Sequence, residues 1–285
     1  VSVNPVDKNW DWKDMFCFWS VGLQSIMSFA LIASLYFVYN LNFYEVLFGS
    51  LLASLLVIYL SYIIGKPSQK HGIPFPVFLR VSTGYQGARF ISLIRGLVGI
   101  FFFGVQTYFI SKSIGYLIRI SLFQFDSEIL NNDIFFNYFM TMNLIDWVSF
   151  VFTILIQYFL FSRGQKFIRN FINFSALFVY LGLLLFFVVL IADPELFVME
   201  TFISKLNLES GFTDFQLKNM IGITGTLFAY FSILIMNFGD YSRYVKSSQE
   251  LLKGNLSLVV STIIYSFLIV VIVIGADIFF KSSLI

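Results

Sequence analysis

Seven runs of apolar residues divide this chain, each comparable in length to the ~20 residues that a helix needs to cross a membrane. The chain has 285 residues, of which 58% are hydrophobic and only 12% are charged. A soluble domain of this length has no need for so much apolar surface. The sequence therefore predicts an all-α polytopic membrane protein, with spans at 15–38, 43–64, 91–117, 134–161, 170–192, 216–238 and 255–279.

The chain has only one cysteine and one histidine, which limits the kinds of cross-link and metal site that it can form. Cys17 is the single cysteine and His71 the single histidine, so the sequence excludes an internal disulfide and a cysteine or histidine metal cluster. The net charge of +2 gives no reason to expect a nucleic-acid partner. The chain begins at Val1 and stops at Ile285, soon after the last span, so we expect a fragment that is cut at both ends.

Basic residues predict the orientation, because loops on the cytoplasmic side carry an excess of Lys and Arg. Most of the 18 basic residues fall on one side of the spans, including those in the Gly- and Pro-rich segment Gly65–Arg80, which we interpret as a loop. The other side holds Lys112, Arg119, Lys205, Lys218 and Lys281. We therefore expect a cytoplasmic N-terminus in the cell (inner) membrane. Residues 193–215 then form an outer loop with a short surface helix.

Gln106 is the strongest candidate for a binding residue. It lies near the middle of the third span, where a lone amide is costly in lipid and should face the protein interior. Its acceptor and two donors match a ligand with an amide or urea edge, although a helix–helix hydrogen bond explains it equally simply. Phe102 lies four residues earlier on the same face. Its ring could stack on a flat heterocycle or serve only for packing.

Two spans contain polar, glycine-bearing segments that could interrupt a helix. The first is Trp19–Ser25, and the second runs from Ile221 to Ser232 in the sixth span. Transporters often break such helices so that backbone carbonyls can bind an ion or a substrate. The alternative is a continuous helix in which the hydroxyl groups bond to their own backbone.

Three further charged residues lie near or within spans. Asp240 and Arg243 follow the sixth span at the inner interface and could form a gate or a structural anchor. Asp146 lies within the fourth span, close to Asn143, and could pair with a polar neighbour. Acidic residues inside a membrane are functional candidates by default, but nothing in the pattern marks Asp146 as a proton carrier.

Several segments together resemble the nucleobase:cation symporter family of purine, cytosine, uracil, allantoin and hydantoin permeases. They occur in a consistent order over residues 9–250 and comprise Asn9-Trp10, Lys66-Pro67-Ser68-Gln69, Gly72-Ile73-Pro74-Phe75-Pro76-Val77, Arg80, Gly84, Gly87-Ala88, Arg95, Phe103-Gly104-Val105-Gln106-Thr107 and Asn237 through Arg243. The resemblance implies a LeuT-like fold of five-plus-five inverted repeats, here truncated after about seven transmembrane helices. Residues 15–192 would form the first repeat, and 216–285 the first two helices of the second.

The resemblance also implies where substrate binds. The glutamine of the third-helix motif matches Gln106, and Phe102 stands where the family often has tryptophan, which keeps a stacking ring but loses the indole N–H. A second stacking ring falls near Phe231 when Asp240 is the anchor, or at Tyr230 or Phe228 if the register slips.

The first helix supplies the remaining implied site residues. Its substrate-side polar position falls at Ser25, with Gln24 beside it. In sodium-coupled members, carbonyls near Val21 and Gln24 would help to hold the ion. The resemblance places the rest of both sites on helix eight, beyond this chain.

The function predicted from these features is a secondary active transporter that imports a nucleobase or related heterocycle with Na+ or H+ by alternating access. Its expected partners are a small heterocyclic substrate and the lipid bilayer, with no organic cofactor, and we expect a monomer. The alternative is a seven-helix membrane sensor that binds a ligand without moving it; a retinal protein is discarded because residues 255–279 contain no lysine. An enzyme is not expected, because the spans offer no paired aspartates and no Ser/His pair.

Overall fold

The computed structural model describes residues 2–38, 43–125, 137–192 and 215–282. Within these ranges the chain forms a short 3-10 turn, Pro5–Asp7, and eight α-helices: α1 Trp12–Leu23, α2 Ile26–Val38, α3 Phe43–His71, α4 Phe75–Phe125, α5 Leu144–Ser162, α6 Gln165–Ala192, α7 Leu217–Ser242 and α8 Ser248–Ser282. Six helices of this described part are long and apolar enough to cross a membrane, and α1 with α2 makes a seventh, bent span. The predicted all-α polytopic membrane protein is confirmed.

The predicted interruption of the sixth span is wrong. Helix α7 continues without a break through its glycines, threonines and serine. The hydroxyls of Thr224 and Thr226 donate 2.8 Å hydrogen bonds to the carbonyls of Met220 and Gly222, so they bond back to the helix and leave its ladder intact. The surface helix predicted in the outer loop lies outside the described residues.

The segment after the second span, which we interpreted as a loop, is helical from Gly65 to His71. Helix α3 continues through Pro67 to His71 because tertiary contacts hold its last turns. Gln69 donates through Nε2 to the carbonyl of Val245 at 3.1 Å, and the Lys8 ammonium bonds to the Gln69 carbonyl at 2.5 Å. The helix ends at Gly72, whose φ of 67° is the left-handed conformation that favours glycine at a C-terminus.

The remaining helices differ from the predicted spans mainly at their ends. Helix α5 begins at Leu144, ten residues later than predicted, because the side chain of Asn143 accepts a 3.0 Å hydrogen bond from the Asp146 backbone and caps the helix. Helix α4 runs from Phe75 to Phe125 with a kink at Gly84 (φ 68°, ψ −178°), so the third predicted span is only its central part.

The chain divides into two compact units. The first contains the described residues up to Ala88 and from Phe171 onward, and the second is Arg89–Asn170. The core of the first unit is aromatic near α1: the ring of Trp19 is fully buried and stacks on Phe238, with centroids 5.1 Å apart. Helix α8 runs through this core and buries Tyr265, Ile269 and Ile274.

The second unit contains a polar seam between α4 and α5. Thr107 and Gln157 are hydrogen-bonded to each other at 3.1–3.2 Å, and Ser111, Ser149 and Thr153 are buried nearby along the two helices. Small and polar residues allow close packing of membrane helices, so this seam fixes the face of α4 that meets α5.

Candidate functional site

The first span breaks at Gln24 and Ser25, where α1 ends and α2 begins at an angle of 62°. Gln24 closes α1 by donating its backbone N–H to the Ser20 carbonyl at 2.8 Å. Ser25 starts α2, because its Oγ accepts a 3.1 Å hydrogen bond from the backbone N–H of Ser28, three residues later. This is the geometry of a serine N-cap, so the sequence itself specifies a new helix at this point.

A tyrosine on α7 joins the two halves of the broken span. The Tyr230 hydroxyl lies 2.7 Å from the carbonyl oxygen of Gly22 and 2.6 Å from Oγ of Ser25. Tyr230 has one proton, which must be donated to the Gly22 carbonyl, so Ser25 donates its own proton to the tyrosine oxygen. A chain of hydrogen bonds therefore runs from the Ser28 backbone through Ser25 and Tyr230 to Gly22.

Other polar groups complete the surroundings of the break. The hydroxyl of Ser28 bonds to the Leu23 carbonyl and lies 3.3 Å from the Tyr265 hydroxyl. Gln24 donates through Nε2 to the Ala176 carbonyl at 3.0 Å. Within the described part of the chain, Gln24 Oε1 is buried with no hydrogen-bond partner. The break thus leaves one buried amide acceptor without a partner among the described residues, and an unpaired buried acceptor is costly.

Four of the sequence-predicted site residues lie together here. Ser25, Gln24 and Tyr230 surround the break, and Val21 belongs to the last turn of α1, so its carbonyl is among those without a regular helical partner. Phe231 follows Tyr230 but turns elsewhere: its ring is fully buried against Trp19 in an edge-to-face contact with centroids 6.2 Å apart. In this structure Phe231 is part of the aromatic core.

Phe102 and Gln106 lie in the second unit, on α4. Both side chains are half-buried. Thr107, one position after Gln106, is buried in the seam with α5, and consecutive helical residues point about 100° apart. The face that carries Phe102 and Gln106 is therefore distinct from the face that packs on α5 and is not consumed by that contact.

Asp240 and Arg243 lie at the C-terminal end of α7. The carboxylate of Asp240 accepts a 3.1 Å hydrogen bond from the backbone N–H of Phe75, the first residue of α4. Arg243 donates to the Asp240 carbonyl at 3.1 Å and stacks over the ring of Tyr244. The Asp240 contact ties α7 to the start of α4. Both the gating role and the anchoring role stay predictions.

The sequence analysis missed Ser28 and Tyr265. The spacing of Ser25 and Ser28 was a usable signal, since a serine followed three residues later by another polar residue is typical of a helix N-terminus. Tyr265 carried no comparable signal, because it lies among apolar residues of α8 and meets Ser28 only through the fold.

Comparisons with known proteins agree on one family. The family described as "Permease for cytosine/purines, uracil, thiamine, allantoin" matches residues 2–280. The allantoin permease of Bacillus subtilis (strain 168) is 25% identical over 256 residues, which cover 89% of this chain and 50% of that protein. The purine-uracil permease NCS1 of Arabidopsis thaliana is 24% identical over 283 residues, 97% of this chain and 44% of that protein.

A shorter match is to the putative allantoin permease of Escherichia coli (strain K12), which is 26% identical over 102 residues, 35% of this chain and 21% of that protein. The chain thus spans about half the length of the two relatives that it matches over most of its own length. No solved structure matches it.

Proposed function

We propose, because this chain belongs to the family of permeases for cytosine/purines, uracil, thiamine and allantoin, that it is part of a secondary active transporter. The transporter imports a nucleobase or a related heterocycle of the uracil, cytosine, allantoin or hydantoin type. Uptake is coupled to Na+ or H+ and proceeds by alternating access. The arrangement proposed for the whole protein is the LeuT-like five-plus-five repeat, with 15–192 as its first repeat and 216–285 as the start of its second.

The observation that carries this proposal is the broken first span. The break lies in an apolar span, between two helices that together have the composition of a membrane segment. Irregular backbone at membrane depth is tolerated where it is buried in protein or lines a cavity, and transporters use it to bind substrate and ions. Here the break brings together backbone carbonyls, a serine, a tyrosine and Gln24 Oε1, an acceptor without a partner in the described part of the chain.

The sequence-predicted residues of each unit are proposed to contribute to substrate binding by their own chemistry. Gln106 supplies a donor and an acceptor for the amide edge of the heterocycle, and Phe102 supplies an aromatic face. Ser25, Gln24 and Tyr230 are proposed to supply further hydrogen bonds. A coupling Na+ would take the carbonyl oxygens of Val21 and Gln24, since sodium is a hard cation that prefers oxygen ligands.

The proposed orientation follows the basic residues. The N-terminus is cytoplasmic, the membrane is the cell (inner) membrane, and the protein acts as a monomer. Trp10 agrees with an anchored N-terminal segment: its backbone N–H donates to the Tyr244 carbonyl at 3.0 Å, and its carbonyl accepts from Lys246 at 2.9 Å. The N-terminus and the α7–α8 corner therefore lie on the same side.

The test is uptake of radiolabelled uracil and allantoin into proteoliposomes that contain the protein, with a sodium gradient, a proton gradient or neither. Accumulation above the outside concentration under one gradient, abolished by the matching ionophore, is expected. Ser25→Ala should slow uptake because it removes the N-cap of α2 and the bond to Tyr230. Ser82→Ala, at an exposed serine that bonds only to its own helix, should not.

Two outcomes would overturn the proposal. Binding of a heterocycle without accumulation under any gradient would favour the sensor alternative. Neither binding nor uptake across uracil, cytosine, allantoin and hydantoin would contradict the substrate class itself.

A further inference from the structure

The first unit also contains an open space between α2 and α7, away from the break in the first span. It is a cavity of about 510 Å³, lined by three aliphatic side chains and by Ser34, Lys218, Asn219, Gly222 and Thr226. Its volume lies within the range of about 300–1,000 Å³ that is typical of small-molecule sites. Under the proposed orientation it opens toward the outer side, because Lys218 is the second residue of α7.

The two hydroxyls of the cavity are left as acceptors. Ser34 donates its proton to the Leu31 carbonyl at 2.9 Å, and Thr226 donates its proton to the Gly222 carbonyl at 2.8 Å. A hydroxyl has one proton and two lone pairs, so each oxygen can still accept a hydrogen bond from a ligand N–H.

Lys218 supplies the complementary donor. Its side chain is exposed, and no ion pair or hydrogen bond of its ammonium group occurs within the described part of the chain. An ammonium has three donors and no acceptor, so it suits a carbonyl oxygen of the ligand. The cavity therefore offers a donor and acceptors, as a ring with adjacent N–H and C=O groups requires.

The charge balance favours a neutral ligand. Asn219 donates through Nδ2 to both carboxylate oxygens of Glu45 at 3.2 Å, and the Gln216 backbone donates to the same carboxylate at 2.7 Å. Glu45 is almost completely buried. The carboxylate bonded to Asn219 therefore places a negative charge behind the cavity wall, which disfavours an anionic ligand.

The cavity and the break share one face of α7. Gly222, Thr226 and Tyr230 are spaced by four residues, which places them on one stripe of the helix at intervals of about 6 Å. On the other wall, Ser34 lies on α2, the helix that Ser25 begins. A solute in the cavity therefore lies along the line that leads to the Tyr230–Ser25 pair.

We infer that this cavity is a second ligand site, at which a neutral cyclic amide or ureide binds before it reaches the broken span. The inference rests on the proposed function for the direction of travel, but the binding chemistry stands on the cavity residues themselves. Lys218 takes a ligand carbonyl, and Ser34 and Thr226 accept from ligand N–H groups.

Gly222→Leu tests the role of the cavity in transport. An added Cβ at Gly222 meets no atom within 4 Å, so a larger side chain there starts in open space at the cavity wall. Gly225→Leu is the matched control, because Gly225 is equally open, lies on the same helix and does not line the cavity. Initial uptake at low substrate should fall about tenfold in Gly222→Leu and stay within about twofold in Gly225→Leu. Equal uptake by both variants would contradict the inference.

Cysteine protection tests binding without transport. Leu31→Cys places a thiol in the cavity, and Ala30→Cys places one on a neighbouring exposed face of α2. A membrane-impermeant thiol reagent should label both, with the parent protein as the blank because Cys17 is buried. Uracil should slow labelling at position 31 and not at position 30. Pyrimidine, which has the same ring without N–H or C=O groups, should protect neither.

Lys218→Met should raise the uracil concentration for half-protection about tenfold, and Lys218→Arg should restore it. If uracil protected the thiol at position 31 in a protein that does not accumulate heterocycles, the proposed transport would be wrong and the second ligand site would stand. If the protein transported heterocycles, uracil did not protect the thiol and Gly222→Leu took up substrate normally, the second ligand site would be wrong and the proposed transport would stand. The absence of both would overturn both.

Discussion

The hydroxyl of Tyr230 donates a 2.7 Å hydrogen bond to the carbonyl oxygen of Gly22, near the last turn of α1. A carbonyl at the end of a helix has no partner within that helix, and in a membrane no bulk water replaces it. The tyrosine supplies the missing donor from another helix. It also holds Ser25, at the start of α2, so a single side chain joins both ends of the break.

Removal of this hydroxyl should destabilise the broken span. We expect Tyr230→Phe to lower the free energy of unfolding by about 1–3 kcal/mol, because the Gly22 carbonyl loses its donor and Ser25 loses its acceptor. Denaturant unfolding of the purified protein in detergent measures this change. Tyr158→Phe is the matched control, since Tyr158 is 75% exposed. Equal stability of the two variants would contradict the role assigned to Tyr230.

The close packing of α3 on α7 gives a second prediction. An added Cβ at Gly49 would lie 2.8 Å from Cβ of Ile223 and 3.1 Å from the Met220 carbonyl oxygen. Both neighbours belong to the body of α7, so neither can move aside cheaply. Gly49→Ala should therefore destabilise the protein by about 1–3 kcal/mol, measured by denaturant unfolding in the same detergent.

Gly182→Ala provides the opposite expectation. Gly182 lies inside α6, and an added Cβ there meets nothing within 4 Å. Alanine restricts the unfolded chain more than glycine does, so this variant should be more stable by about 0.5–1 kcal/mol. If both substitutions changed stability in the same direction, packing at Gly49 would not be the cause.

The charged cluster at one end of the second unit gives a third prediction. Asp146 is 4% exposed, and its carboxylate bonds to Lys112 and to Arg119, each at 2.8 Å. The side chains of both cations are 26% exposed. Asp146→Asn would leave two partly buried cations without a carboxylate and should cost about 2–4 kcal/mol of unfolding free energy. The measurement is denaturant unfolding, with Asp7→Asn at an exposed aspartate as the control.

A double variant separates charge from packing in this cluster. Lys112→Met combined with Asp146→Asn removes one cation together with the carboxylate, so less uncompensated charge remains. It should be more stable than Asp146→Asn alone. A double variant that is less stable than the single one would show that Lys112 stabilises the unit by contacts other than its bond to Asp146.

The sequence marked the first span as a candidate for a broken helix, and the structure shows the break at that segment. Polar residues that can cap helices cluster there, and Ser25 and Ser28 have the spacing of an N-terminal cap. A similar composition made the sixth span a candidate for a break, but its helix is continuous. Threonine hydroxyls can bond to their own helix, as Thr226 does, and composition alone does not distinguish that outcome from a break.

Contacts between distant segments explain what the sequence could not predict. Pro67 and Gly65 favoured a loop, but Gln69 binds the Val245 carbonyl from 176 residues away and keeps the last turn of α3 helical. For Asp146, the sequence indicated only that its side chain could pair with a polar neighbour. Its partner Lys112 is 34 residues earlier, on another helix, and only the fold brings the two together.

The most specific prediction about ligand affinity concerns Gln106. Its amide offers a donor and an acceptor to the edge of a heterocycle, and its loss would leave both groups of the bound ligand unpaired. Gln106→Ala should weaken equilibrium binding of uracil or allantoin by about ten- to a hundredfold with little change in stability.

Gln157→Ala is the matched control, because the Gln157 amide bonds to Thr107 in the seam and not to the face of Gln106. It should lower stability and leave ligand affinity nearly unchanged. Gln106→Glu keeps the acceptors and removes the amide donors, so it should bind worse than the parent wherever the ligand presents a carbonyl. Unchanged affinity of Gln106→Ala across nucleobases, hydantoin and allantoin would show that Gln106 serves helix packing alone.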